Sequence, residues 1–442
     1  MTEQNRHLFG FLGTGRYDKD TKTYAYDPCA YAAPWADDFT SPVVTFVQTA
    51  SALSLVREVG GEAATLQTTI FATEKARELH RESLAREFAT HGLTPPTFIE
   101  IPSHFDEASI IALFEALSDS LMTDNAVLSF DMTHGFRAQP AIALLVLDYI
   151  QAVNPTCRVE HLLYGAYQKD LEAVPLVDLI GLWQLRDWAA GFREFHRTGS
   201  VARIGELVQD QRNNFMRATR GKEGSPNALT GFEKQIHRFE QLANMNAIPA
   251  LFGDGDTSGS IELLVESANQ PWEGLSRQLG RFVDPLRQEL GSRFSPMISR
   301  DWSSRQGLLA QIEWIEWLER HGRYQQALTV AREWATTFAA LVLEEAGHKA
   351  IQRKEANELL NLTRTDPAHR WNRTAAQDQL ILILESRLKD DFLTMCGHLE
   401  LRNRVNHAWM PSPNAGSEAS PDKQNPSRVL QKAAAAFREA LE

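Results

Sequence analysis

The chain has 442 residues, 43% hydrophobic and 23% charged, enough for two or three cores and too balanced for a disordered or fibrous protein. Its net charge of −12 at pH 7 argues against coating duplex nucleic acid, where broad basic surfaces are rewarded by counterion release. That charge still allows a local basic groove gripping a few nucleotides of single strand. The longest apolar run, residues 141–147, is too short to cross a bilayer, and the polar N-terminus lacks a signal-peptide pattern. Three dispersed cysteines, Cys29, Cys157 and Cys396, fit neither a disulfide framework nor a CxxC metal site. These features predict a cytoplasmic protein with no membrane partner and no metal.

Strand patterns are expected at residues 7–12, 43–47, 66–71, 97–101, 126–132 and 158–163, with helices over 73–90, 106–121 and 139–153 between them. Strands alternating with helices predict crossover units and a mostly parallel sheet, covered on both faces where a strand is as apolar as 126–132. This part, residues 1–179, reads as a Rossmann-like α/β domain. From residue 180 onward the periodicity is helical: 182–196, 201–220, 233–245 and 269–291, broken at 253–260 and 294–296, then 306–320, 324–345, 374–391 and 394–408. The division expected is an all-α linker over 180–304 and a second all-α domain over 305–442. Residues 410–427, rich in Pro, Ser and Asn, read as a mobile loop before a closing helix.

Two loops leaving strand ends carry unusual residues. In Gly10-Phe11-Leu12-Gly13-Thr14-Gly15-Arg16-Tyr17 the glycines allow positive φ and a close approach of backbone amides to an anion. The dinucleotide fingerprint is not met, because Asp18 stands at its third glycine. The second loop is Asp131-Met132-Thr133-His134-Gly135-Phe136-Arg137, followed by Pro140 and an apolar helix. Thr133 offers a hydroxyl, His134 an imidazole, Gly135 bare backbone and Arg137 a guanidinium fork, the mixture that recognises a phosphate at a helix N-terminus. Singly, each has a bland structural use; together at a strand end they point to a ligand. Thr73-Glu74-Lys75 reads first as a helix cap, with Lys75 in reach of a ligand phosphate.

A metal-independent ribonuclease needs a proton shuttle and a cation for the developing phosphorane charge, which histidine and arginine supply. Arg-x-x-x-x-His occurs three times, at Arg86/His91, Arg364/His369 and Arg402/His407. The first closes a helix before Gly92 and two prolines, and the second spans Pro367. The third, Arg402-Asn403-Arg404-Val405-Asn406-His407, places polar groups beside an apolar helical stripe. Residues five apart lie about 140° apart on a helix, so two copies of the segment around one cleft are expected to build the site.

The Leu12–Tyr17 segment, the Asp131–Arg137 loop and Tyr164-Gly165-Ala166 resemble CRISPR-associated Rossmann-fold (CARF) domains. Arg402-Asn403-x-x-x-His407 resembles the signature of HEPN ribonucleases. Their order is similar to the accessory ribonucleases of type III CRISPR systems. The resemblance implies a homodimer, or a higher oligomer, whose CARF domains bind a cyclic oligoadenylate through Thr14, Gly15, Thr133, His134, Gly135 and Arg137. Cyclic tetra-adenylate is the first ring to expect, as activator and not as cofactor. It further implies metal-independent cleavage of single-stranded RNA, with His407 in proton transfer or phosphate orientation, Arg402 stabilising charge and Asn403 positioning. Two alternatives stay open: a ligand-binding regulator whose helices do no chemistry, and a CARF domain that cleaves its own cyclic ligand.

Overall fold

The computed structural model describes residues 5–19, 22–60, 66–135, 138–168, 171–218, 227–270, 277–348, 351–363, 373–399, 401 and 425–442. The chain divides into two compact units, residues 1–184 and 185–442.

The first unit is built on β1 (Asn5–Leu12), β6 (Leu66–Ala72), β7 (Thr97–Glu100), β8 (Ala126–Asp131) and β9 (Arg158–Gly165). These five run parallel in the order β9-β8-β1-β6-β7. On the β9 side the same sheet continues through β10 (Ala173–Asp178), β4 (Ala30–Ala33) and β5 (Phe39–Thr40). Strand alternation sends the side chains of β1 to two separate cores. Leu8 and Leu12 join residues of α1 (Val47–Val59) and α2 (Glu74–Thr90) on one face. Phe9 and Phe11 join Phe71 and Phe130, with α3 (Glu107–Leu121) and α4 (Ala138–Val153), on the other. The result is the expected α/β sandwich of three layers.

Several elements differ from the sequence reading. The apolar 43–47 run is no strand: Phe46 is the N-cap of α1, a helix the alternation did not reveal. Phe46 brings no capping side chain of its own; Glu87 of α2 accepts from the Thr45 and Phe46 amides at 2.7 and 3.2 Å and so caps α1 from outside. Between β1 and α1 the chain inserts a small hairpin of β2 (Arg16–Asp18) and β3 (Thr23–Ala25), followed by β4 and β5. Strand β10, also unexpected, pairs antiparallel with β9.

The second unit is helical: α5 (Ile180–Thr198, which crosses the boundary), α6 (Ala202–Ala218), α7 (Asn227–Asn244), α8 (Ile248–Phe252), α9 (Ser260–Asn269), α10 (Arg277–Phe294), α11 (Arg305–Arg320), α12 (Tyr324–Glu345), α13 (Arg353–Thr363), α14 (Ala375–Arg387), α15 (Asp390–His398) and α16 (Pro426–Leu441). The single helix expected over 374–391 stops at Arg387, with a new one starting at Asp390. One apolar core runs from Trp188 to Phe437, so the expected boundary at residues 304 and 305 falls inside a single compact unit. At its centre Trp334 stacks on Phe437 with ring centroids 4.0 Å apart and donates its indole N–H to the Leu308 carbonyl at 2.8 Å.

Candidate functional site

In the sheet order, β1 lies between β6 and β8, so the chain turns one way after β1 and the other way before β8. At such a switch point the loops after the two central strands diverge and leave a crevice beyond their C-terminal ends. A cavity of about 900 Å³ opens there. Thr14, Gly15, Thr133, His134 and Gly135 all line it, so five of the six residues expected to bind a ligand meet at one place. The sixth, Arg137, lies outside the described residues.

The β8 loop is shaped from below by Asp131. Its carboxylate is fully buried, accepts from the Ser51 hydroxyl at 2.7 Å and receives the Thr133 amide at 2.9 Å. Thr133 in turn accepts from the Gly165 amide at 2.8 Å, joining the β8 loop to the end of β9. A side chain at Gly165 would press within 3.0 Å of Val47 and Tyr31, which is the reason for glycine there. The Thr133 hydroxyl proton is left for donation to something other than this amide. Gly135, at φ +120°, occupies a conformation that favours glycine.

The β1 loop is shaped from above by the inserted hairpin. Gly15 has φ +76°, and a Cβ there would sit 2.6 Å from the Ala25 carbonyl oxygen. Its bare backbone therefore serves the start of the hairpin as well as any ligand. The loop is further tied to α2, where the imidazole Nε2 of His80 is 3.0 Å from the Thr14 carbonyl. A carbonyl only accepts, so that nitrogen carries the proton.

Aromatic rings fill the space between these supports. Tyr26 lies against His134 at 4.7 Å, His80 at 5.2 Å and Phe46 at 5.5 Å between centroids. Burial, with help from the nearby His80, lowers the His134 pKa against the opposing pull of Asp131, so His134 is neutral at neutral pH. Burial also raises the Tyr26 phenol, partly offset by the Gly13 and Gly15 amides that face it. Neither amide closes a full hydrogen bond, and the phenol oxygen is buried without a partner among the described residues.

Lys75 is engaged differently from the sequence expectation. It donates to the Tyr24 hydroxyl at 3.2 Å, with its ammonium 4.3 Å from the Tyr24 ring centroid, and so pins the hairpin to α2. Thr73 caps α2 by accepting from the Ala76 amide. His80 was missed by the sequence reading, and Tyr26 lies in the tyrosine-rich stretch Tyr17–Tyr31, whose role the sequence leaves open; each left a trace. His80 interrupts the buried stripe Ala76, Leu84, Phe88 at helical spacing, and Tyr24-Ala-Tyr26 alternates as a strand does.

Arg402, Asn403 and His407 lie outside the described residues. The described residues before them include α15 and the buried Leu399 and Leu401, and the next described element after them is α16. Among the described residues no three His, Cys, Asp or Glu side chains gather as a metal site, and no helix is long and apolar enough to cross a membrane.

No family model matches the chain, and no curated protein does. Among solved structures the chain is similar to Enterococcus italicus Csm6 bound to cyclic hexa-2′-fluoro-hexa-dAMP, with 10% sequence identity over 99% of this chain and 93% of that one, at a TM-score of 0.48.

Proposed function

We propose that the first unit is a CARF domain binding a cyclic oligoadenylate at the cavity between the β1 and β8 loops, and that this ligand activates a HEPN-type ribonuclease in the helical unit. The observation that carries the reading is the meeting of Thr14, Gly15, Thr133, His134 and Gly135 at the switch point of a parallel sheet. Helix N-termini and bare amides at strand ends suit phosphates, and Arg137 would add a fork to them. The neutral imidazole of His134 and the Thr133 hydroxyl donate without bringing charge.

In the proposed reaction the ribose 2′-hydroxyl attacks the adjacent phosphorus and loses its proton. The P–O5′ bond breaks, the 5′-oxygen takes up a proton, and the products are a 2′,3′-cyclic phosphate and a 5′-hydroxyl. His407 transfers protons or orients the phosphate, Arg402 stabilises the phosphorane charge, and Asn403 positions them. Two copies of the 402–407 segment share one cleft in a homodimer. Ligand acts by favouring the dimer arrangement that assembles this cleft.

The test is cleavage of a fluorescent single-stranded RNA in chelator, with cyclic tri-, tetra- and hexa-adenylate added separately. Activation by one ring, the tetra-adenylate first, and loss of at least a hundredfold in His407→Ala are expected. Equal cleavage with and without every ring ends the regulatory claim. A well-folded protein that binds a ring and cleaves nothing leaves a sensor without ribonuclease activity.

A further inference from the structure

The two loops that line the cavity come from strands more than a hundred residues apart in sequence, and among the described residues the β1–β8 ladder ends at the Gly10–Asp131 pair. What spans them is the hairpin inserted after β1. Tyr24 and Tyr26 alternate along this segment and dock on the same helix. Tyr24 is fastened by Lys75 in the first turn of α2, and Tyr26 lies against His80 one and a half turns later. From there the Tyr26 ring reaches His134 of the β8 loop, and its oxygen abuts Gly13 of the β1 loop, where an added Cβ would lie 3.3 Å away. His80 completes the circuit by holding the Thr14 carbonyl.

We infer that Tyr26 is a positioning residue of this cavity: among the described residues its ring reaches both loops and sets the β1 loop against the β8 loop. The ring carries the role rather than the hydroxyl, because the oxygen has no hydrogen-bond partner among the described residues while the ring contacts three others. A hydroxyl that forms no bond contributes little when removed, whereas a ring wedged among His80, Phe46 and His134 leaves a void when truncated. Phenylalanine is therefore a faithful substitute and alanine is not.

The inference rests on the proposed ligand only for the identity of the probe. Full-length wild type, Tyr26→Phe, Tyr26→Ala and Leu117→Ala are compared; Leu117 is buried in the α3 core, is absent from the cavity lining and controls for lost stability. Amide exchange is followed without ligand over residues 16–25 and 131–135, and binding is titrated with cyclic tri-, tetra- and hexa-adenylate. Tyr26→Ala is expected to speed exchange in both segments at least tenfold and to weaken the ring bound by wild type at least tenfold. Tyr26→Phe is expected to stay within threefold of wild type on both measures. Leu117→Ala is expected to lower the unfolding temperature while leaving both segments and the affinity unchanged. The inference is overturned if Tyr26→Ala exchanges as wild type does, or no faster than Leu117→Ala. If wild type binds none of the rings, the ligand reading fails while the exchange comparison still decides the role of Tyr26.

Discussion

Around the cavity of the α/β unit, elements distant in sequence are tied by polar side chains: Gln48 to the Phe11 carbonyl, Ser51 to Asp131, Thr133 to Gly165, and Glu87 to the start of α1. The helical unit is held chiefly by a continuous apolar core; polar ties occur within it, as between Trp334 and the Leu308 carbonyl, and at its exposed rim, where Arg438 bridges Glu313 and Glu316. The difference follows from backbone chemistry. Strand ends leave amides and carbonyls to be satisfied where the sheet stops, so polar side chains gather there and a ligand can replace some of them. A helix satisfies its own backbone along its length, and its packing is apolar.

Substitutions sharpen this contrast. The largest effect is expected in the apolar unit, where Phe437→Ala removes the ring stacked on Trp334 and costs about 3–5 kcal/mol, read as an early unfolding transition in urea. In the α/β unit the corresponding tie is ionic. His161 is buried against Trp35, with Asp178 at 2.8 Å and Glu58 at 2.9 Å. Burial lowers its pKa, but those two carboxylates outweigh burial and raise it from 6.5 to about 9. A raised folded pKa means stability that is complete below pH 6.5 and is lost as the pH climbs through 9. The loss amounts to about 3 kcal/mol, and His161→Gln is expected to flatten that slope in denaturation curves at pH 6 and pH 9.5.

Smaller effects probe single ties. Thr133→Val strips the acceptor from the Gly165 amide and is expected to cost about 1–2 kcal/mol, with weaker ligand binding in the same protein. Last comes Arg438→Met. Its side chain is 39% exposed, so solvent screens the pairs and the loss is expected to be about 1 kcal/mol or less. A loss from Arg438→Met exceeding that from Thr133→Val would contradict the contrast between the units.

Much of the architecture is legible in the residue pattern alone. The expected strand over 126–132 is β8, Ala126–Asp131, because a run of Ala, Val, Leu and Phe buried on both sides has few other solutions, and the described residues after 180 are mainly helical, although the stretches expected over 269–291 and 374–391 are each interrupted. Helix α1 is not legible there, since its buried stripe includes Gln48, Thr49 and Ser51, whose partners lie on other elements, and Ser54, which bonds back to the Ala50 carbonyl of the same helix. The split between α14 and α15 is hidden for the opposite reason, because Leu388 and Phe392 keep the apolar pattern across it while Leu388 turns to an extended backbone.

Residue pattern is enough for the alternation of strand and helix, the helical character of the remainder, and the two loops with glycine, threonine and histidine at strand ends. These are local properties, carried by residue type and by periods of 2 and 3.6. Not written in any residue pattern are the cavity shared by the β1 and β8 loops, the shaping of the second by Asp131 and Gly165, and the place of Tyr26 and His80 between them. They include contacts between residues as far apart as Thr133 and Gly165, 32 positions, and Tyr26 and His134, more than a hundred. They depend on strand order and hairpin docking, which no local pattern encodes.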